Sequence, residues 1–187
     1  MKNILLIAAI TISSLATAQM ENITFGAKAG LNIASVTGDI GENSDSRISF
    51  HLGAVARYDI DDKLSIQPEL LYSSQGASGE IENTDFTIKL DYINLPVLAT
   101  YEVYDNLRVL AGPEIGINIS AKSETGDFEG DIEDVNTLAL GLALGAQYQL
   151  EQGIFFQARY AAGLSKIVED VDGSNSVISL SVGYFFN

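Results

Sequence analysis

The segment LRVLAGPEIGINIS, residues 107–120, changes the kind of side chain at every step. One parity carries large apolar residues, among them Ile115, Ile117 and Ile119, and the other carries Glu114 with glycine, asparagine and serine. Period-two alternation is typical of a strand whose two faces meet different surroundings. The segment is also longer than the roughly 9–11 residues that cross a bilayer at a tilt, whereas soluble strands have about 5–6. It therefore predicts a strand that spans a membrane.

Seven other segments show the same alternation, so that eight strands are predicted in all. The sixth is the most regular, because four leucines from Leu138 to Leu144 oppose alanine and glycine. The eight predicted strands cover residues 23–36, 48–60, 63–76, 86–103, 107–120, 136–150, 154–167 and 176–186.

Connections of two lengths alternate along the chain. Tight turns are predicted at 61–62, 104–106 and 151–153, and longer polar stretches at 37–47, 77–85, 121–135 and 168–175. This alternation is typical of a transmembrane β-barrel whose short turns lie in the periplasm. We therefore predict an all-β fold, an eight-stranded antiparallel up-and-down transmembrane β-barrel in the bacterial outer membrane, with short periplasmic turns and longer extracellular loops.

The acidic residues concentrate in the longer stretches, which hold 15 of the 25 aspartates and glutamates. This predicts acidic extracellular loops. The formal net charge of −15 argues against binding of nucleic acid through bulk charge. The expected partners are outer-membrane lipid and, during biogenesis, the barrel-assembly machinery, whereas no protein partner can be named.

The N-terminus predicts a signal peptide over residues 1–18 and Sec-dependent export. Lys2 is followed by a short apolar stretch, and Ala16-Thr17-Ala18 fits the small-x-small pattern of a cleavage site. Residues 19–187 are then one barrel domain. The chain has no cysteine, so disulfides cannot hold the exported protein together.

Aromatic residues fall near the strand ends on the apolar parity, as expected for the two membrane interfaces. Packing in a soluble core is the alternative, but it would not favour strand ends. The interface aromatics are Phe25, Tyr58, Tyr101, Tyr148, Phe156 and Tyr184 toward the short turns, and Phe50 and Tyr72 toward the loops.

Four charged residues on the inward parity are predicted to meet inside the barrel. Lys28, Glu69, Glu114 and Arg159 lie at similar depth on the first, third, fifth and seventh strands. The lumen of an eight-stranded barrel is only wide enough to be filled by side chains. Two cations and two anions there form a neutral structural cluster, because an unpaired buried charge costs roughly 3–5 kcal/mol. The alternative is a gate or ion site in a channel.

Residues 86–103 do not fit one continuous alternation of inward and outward residues, because the apolar residues change parity. Phe86, Ile88, Leu90 and Tyr92 share one parity, whereas the apolar residues that follow lie on the other. A β-bulge near Tyr92–Asn94 would place both sets outward.

Other sites are weakly indicated. The single histidine, His51, is predicted to face inward, with no serine or cysteine nucleophile beside it in sequence, and no cofactor or enzyme motif is found. In the third long stretch Asp127, Glu129, Asp131 and Glu133 alternate, which makes a weak calcium site. A solvated acidic loop is the simpler interpretation, because the spacing of an EF-hand is absent. No other metal site is predicted.

Several segments in order resemble one family, the PorT-like outer-membrane β-barrel proteins of Bacteroidetes-type bacteria. The resemblance implies a small eight-stranded outer-membrane barrel, and it covers nearly the whole mature chain. The namesake of the family is linked to protein export across the outer membrane and to gliding. The segments are FGAKAGLNIASV (25–36), LSIQPELLYSSQGA (64–77), LDYINLPVLATYEV (90–103), LRVLAGPEIGI (107–117), ARYAAGLSKI (158–167) and ISLSVGYFFN (178–187).

The end of the chain looks like the assembly signal of outer-membrane proteins, with Tyr184 and Phe186 on the outward parity. Such signals usually end on the aromatic, whereas Asn187 follows here.

The sequence thus favours a non-enzymatic outer-membrane barrel with a filled lumen, serving envelope structure, surface contact or secretion. Two alternatives remain: a soluble periplasmic lipocalin-like barrel that binds an apolar ligand, and a narrow ion-conducting porin.

Overall fold

The computed structural model describes residues 22–38, 44–81, 84–126, 128–132, 135–167 and 173–186. Within these ranges the chain forms antiparallel strands, and no helix there is long and apolar enough to cross a membrane. The strands are β1 (Ile23–Gly38), β2 (Asp45–Asp59), β3 (Leu64–Ile81), β4 (Thr84–Tyr104), β5 (Leu107–Thr125), β6 (Phe128–Asp131), β7 (Leu138–Gln149), β8 (Ile154–Gly163) and β9 (Gly173–Phe186).

The sheet closes into a ring. Consecutive strands pair around it, and β1 pairs with β9 from Phe25 opposite Phe186 to Gly38 opposite Gly173. The short β6 pairs only with the far end of β5, as Thr125 opposite Phe128, so eight strands form the ring itself. The prediction of an antiparallel up-and-down barrel is confirmed. We call the end with the turns after β2, β4 and β7 the turn end, and the opposite end the loop end.

Strand pairing at the loop end reaches further than predicted. The stretch 77–85 is not a long loop, because β3 and β4 remain paired up to Ile81 opposite Thr84. Most of the stretch 121–135 also belongs to strands, since β5 continues to Thr125 and β6 pairs back onto it. The sequence pattern missed these extensions because both faces of a strand outside the membrane are polar, so the alternation disappears.

The two faces of the ring differ as the alternation requires. On β7 the outward Leu142 is 53% exposed, whereas the inward Ala143 is 3% exposed. The outward apolar run of β7, from Leu138 to Tyr148, covers about 24 Å along the membrane normal at a tilt near 45°, close to the roughly 25 Å of a typical barrel. A soluble lipocalin-like barrel needs the reverse arrangement, so that alternative is wrong.

Glycines on the inward parity make room for large side chains of neighbouring strands. A methyl group at Gly183 would clash with Cζ and the rest of the ring of Phe155, the residue paired with it on β8. A methyl group at Gly30 would meet the ring of His51, its partner on β2. The rings of Phe155 and His51 therefore occupy space in the narrow lumen that a side chain at Gly183 or Gly30 would take.

The β-bulge predicted near Tyr92–Asn94 does not bring the two apolar sets of β4 to the same face, so the expectation that both face outward is wrong. The register between β3 and β4 is unbroken from Leu64 opposite Tyr101 to Ile81 opposite Thr84. The register shift at Asp91/Tyr92 is in the pairing with β5. Leu90 and Tyr92 therefore point into the lumen and are buried. Above the membrane-spanning part, an apolar residue on the inward face fills the mouth of the barrel instead of meeting lipid.

A second irregularity lies at the same height between β2 and β3, where the register shifts between Ser46 and His51. Side chains take over the hydrogen bonds there: Asn32 Nδ2 and Ser49 Oγ donate to the carbonyl of Ser74 at 2.9 and 2.6 Å. Arg47 donates to the carbonyl of Gln75 at 2.7 Å. Bulges bend the strands that carry them, and the two irregularities flank the strands that close the loop end.

Candidate functional site in the barrel lumen

The four inward charges predicted from sequence meet in the lumen. We call Lys28, Glu69, Glu114 and Arg159 the charged cluster. Their strand neighbours are small: Lys28 lies between Gly53 and Gly183, whereas Arg159 and Glu114 pair with glycines of β7. These glycines leave the lumen open enough for the long charged side chains to extend across it.

Glu69 is the centre of the charged cluster. Lys28 Nζ lies 2.6 Å and Arg159 Nη1 lies 3.0 Å from the same carboxylate oxygen, Oε2. The second guanidinium nitrogen, Nη2, lies 3.5 Å from Glu114 Oε2. The side chains of Lys28 and Glu69 are wholly buried. Such contacts compensate charges that would be costly to bury alone.

Glutamine and asparagine amides complete the cluster. Gln157 Oε1 accepts from Lys28 Nζ at 2.6 Å, and Gln67 Nε2 donates to Glu69 Oε1 at 2.9 Å. Asn94 Nδ2 donates to Glu114 Oε1 at 2.7 Å. Sequence reasoning did not single out these amides, although they lie on the inward parity, where a long polar side chain is the available signal.

Apolar layers close the lumen on both sides of the charged cluster. Toward the turn end, Val55, Phe155 and Phe185 form what we call the aromatic floor, with ring centroids of the two phenylalanines 4.7 Å apart. Toward the loop end lies a second group, which we call the apolar cap. Its members come from three strands, β1, β3 and β4, and from the segment after β8, and are Val36, Ala77, Leu90, Tyr92 and Ile167.

A second polar group lies below the aromatic floor, at the turn end. Arg57 Nε is 3.2 Å from Asp59 Oδ1, and its guanidinium carbon lies 4.5 Å from the centre of the Phe185 ring. Arg108 Nη2 is 2.7 Å from Glu102 Oε2. Both pairs are partly exposed and contribute less than the buried cluster.

The structure brings a serine and an asparagine to His51. Its Nδ1 lies 2.8 Å from Asn32 Oδ1 and its Nε2 lies 2.8 Å from Ser181 Oγ. This is the order of contacts of a Ser-His-Asn hydrolase site. However, His51 and Asn32 are 1% exposed and Ser181 is 5% exposed. A substrate carbonyl has no access to Ser181 Oγ in this conformation, so the network serves as polar packing.

The predicted interface aromatics lie on the outward face. Tyr148 pairs with Phe156 near the turn end, and Tyr184 lies beside Phe186 with ring centroids 5.8 Å apart. Toward the loop end the rings of Phe50 and Tyr72 are 5.6 Å apart. Phe25, Tyr58 and Tyr101 lie near the ends of their strands at the turn end. Tyr58 is paired with Ile23, and Tyr101 is paired with Leu64.

Other predicted features fall partly outside the described residues. The signal peptide 1–18, Asn187, Asp127 and Glu133 lie outside them, as does the side chain of Glu129. Asp131 ends β6 opposite Lys122. Within the described part of the chain no group of three or more histidine or acidic side chains could hold a metal ion. The weak calcium site therefore stays a prediction.

The sequence of this chain matches a family model of membrane proteins. The model described as "Outer membrane protein beta-barrel domain" matches residues 17–169, most of the chain. The chain belongs to this family of outer-membrane β-barrels. It is therefore a protein of the bacterial outer membrane, with its turn end in the periplasm. No curated protein matches it.

Solved structures show the same fold at low identity. Neisserial surface protein A superposes with a TM-score of 0.60 and 16% identity, covering 87% of this barrel and 97% of that chain. Ail, the attachment invasion locus protein of Yersinia pestis, gives 0.53 and 18%, covering 89% and 100%. Ail bound to the heparin analogue sucrose octasulfate gives 0.53 and 14%, covering 88% and 99%.

Proposed function

We propose that this protein is a sealed, non-enzymatic outer-membrane barrel that presents its loop-end strands at the cell surface. The observation that carries the proposal is the charged cluster between two apolar layers. A conducting pore needs a continuous polar path, whereas this lumen alternates between paired charges and packed rings. The narrow porin is the second candidate. Glu69 binds both Lys28 and Arg159 through one oxygen, and release of either side chain would open a polar path through the cluster.

The loop end supports a role in surface contact. Beyond the level of Tyr72, β3 continues from Ser73 to Ile81, about 25–30 Å along the strand. β4 and β5 extend beside it, and Phe128 at the start of β6 is 84% exposed. A barrel needs no paired strands outside the membrane for its own closure, so an extended wall of this kind suits a role in contact with other molecules.

Planar-bilayer recording separates the sealed barrel from the porin. The wild-type barrel is expected to show no steady conductance. Lys28→Ala combined with Glu69→Ala should also stay closed, because the aromatic floor and the apolar cap remain, whereas in a porin gated by the cluster this variant would conduct. Leu142→Ala on the lipid face is the control and should stay closed. A steady large conductance in the wild type would overturn the sealed barrel and favour the porin.

A second experiment tests the paired ends of β3, β4 and β5 beyond the level of Tyr72, which we call the wall. Replacing residues 79–86 by an Asn-Gly turn leaves Ser78 and Thr87 as the last facing pair. If the wall serves surface contact, the shortened barrel should still fold, as seen by heat-dependent gel migration, but cells carrying it should lose attachment to surfaces. Unfolding of the shortened barrel, or unchanged attachment, would contradict this role.

A role in secretion follows only from the resemblance to PorT-like proteins, and it remains the alternative within this proposal. The barrel itself is exported through the signal peptide 1–18 in this proposal. The barrel-assembly machinery recognises Tyr184 and Phe186, which face outward and are about 43% exposed. Deleting the gene and comparing secreted proteins tests the secretion role. Phe186→Ala should lower the amount of folded barrel in the outer membrane if the assembly signal is read there.

A further inference from the structure

A cavity of about 40 Å³ lies in the lumen between the charged cluster and the apolar cap. Its floor includes the buried side chains of Glu114, Asn94 and Gln75, and Tyr92 of the apolar cap also lines it. The partly buried Asn136 and the exposed Lys166 line its side toward the loop end. A water-sized particle needs roughly 10–15 Å³ of such space, so about three fit.

The polar atoms around this cavity that lack a hydrogen bond are acceptors. Glu114 is 8% exposed, and its Oε2 forms an ion pair with Arg159 Nη2 at 3.5 Å but accepts no hydrogen bond from the described residues. Asn175 Oδ1 is buried and lacks a donor in the same way, while the Nδ2 of this residue donates to Gln75 Oε1. Burying an acceptor without a hydrogen bond costs free energy. Both oxygens would therefore be stabilised by a ligand that is positively charged or donates a hydrogen bond.

The distribution of charge in the cluster leaves Glu114 with the weaker compensation. Lys28 and Arg159 both lie within 3.0 Å of Glu69 Oε2. Glu114 has one cation, at 3.5 Å, and the Asn94 amide on its other oxygen. The cluster is neutral in sum, but its positive charge lies toward Glu69 and its negative charge toward the cavity.

We propose that this cavity binds a compact monovalent cation, of the size of sodium or potassium, between Glu114 Oε2 and Asn175 Oδ1. Gln75 Oε1 and water complete its coordination. Calcium sites gain affinity from several carboxylates, whereas Glu114 is the acidic residue among the described residues lining this cavity and is already paired with Arg159, so a single positive charge fits better. A neutral, protonated Glu114 is the competing explanation, since a proton would also satisfy the unpaired oxygen. The two differ in whether stability depends on the kind of cation.

Unfolding of the detergent-solubilised full barrel by urea tests the site. The folding equilibrium is compared in sodium, potassium and choline chloride at equal ionic strength, because choline is too large for the cavity. For a dissociation constant near 10 mM, 100 mM of the bound cation raises the folding equilibrium constant about tenfold. Glu114→Gln should abolish the difference between salts. Asn175→Ala, at the half-buried end of β9, should reduce it and gives a second variant should Glu114→Gln fail to fold.

Two controls sharpen the result. Glu102→Gln removes a partly exposed carboxylate at the turn end and should leave the preference among salts unchanged. Lys166→Gln removes a positive charge beside the cavity and should strengthen cation binding. Crystals soaked in rubidium chloride should show an anomalous peak beside Glu114. Equal stability in all three salts, or a preference that survives Glu114→Gln, would overturn the cation site and leave a protonated carboxyl or water alone. Neither outcome bears on whether the barrel conducts, which the bilayer recording decides separately.

Discussion

The charged cluster and the apolar cap close the same lumen by different physical means. In the charged cluster, Lys28 and Arg159 share one oxygen of Glu69, so each group depends on the presence of the others. In the apolar cap, Leu90 and Tyr92 pack against Ile167 through non-directional contacts. The cluster should therefore tolerate almost no change of chemistry, whereas the cap should accept any apolar side chain of similar volume.

The largest effect is expected at the centre of the cluster. Glu69→Gln keeps the shape of the side chain but leaves Lys28 without a carboxylate, which should lower the free energy of unfolding by about 3–5 kcal/mol. Urea unfolding in lipid vesicles measures it. Combining Glu69→Gln with Lys28→Met should restore much of the loss, because Arg159 keeps Glu114. A single variant as stable as the wild type would show that the cluster does not depend on its pairs.

A charge on the lipid face should cost slightly less than a broken pair inside. Leu142→Arg places an unpaired cation near the middle of the outward apolar run of β7, which should cost about 2–4 kcal/mol. Ala143→Ser, one residue away and inward, should be mild because polar side chains line the lumen. Both variants are compared by unfolding in vesicles. Equal tolerance of the two would contradict the assignment of the faces.

A shape-conserving change in the apolar cap should cost less than the same kind of change in the cluster. Leu90→Met keeps the volume and apolar character and should lower the free energy of unfolding by less than about 1.5 kcal/mol. The comparison with Glu69→Gln, measured in the same vesicles, tests the difference between the two layers directly. A loss at Leu90 as large as at Glu69 would mean that the cap is packed as strictly as the cluster is paired.

The smallest effect is expected at an exposed carboxylate. The N–H groups of Lys63 and Leu64 donate to Asp61 Oδ1 at 2.8 Å in the turn after β2, and they lower the pKa of Asp61. A lowered pKa in the folded state stabilises the fold above the unfolded pKa, and this contribution is lost as the pH falls through the folded pKa. Asp61→Asn should therefore reduce stability slightly at pH 7 and not at all at pH 2. An equal difference at both values would exclude the charge as the cause.

The membrane-spanning part of the fold could be predicted because lipid imposes a strict alternation. Outward leucines of β7 and the inward charges of β1, β3, β5 and β8 follow that alternation. The loop end could not be predicted in the same way. At Leu90 and Tyr92, apolar residues change parity, and the sequence pattern cannot tell an outward residue after a bulge from an inward residue that fills the mouth.

The sequence by itself determined that two faces of a closed sheet meet lipid and a narrow lumen, because period-two alternation is a local property of each strand. It also placed Lys28, Glu69, Glu114 and Arg159 at one depth. Only the tertiary structure decided that Glu69 takes both cations and that Glu114 faces a cavity. Contacts across a lumen depend on the register of every strand around the ring, and the bulges that set the register leave no periodic signal of their own.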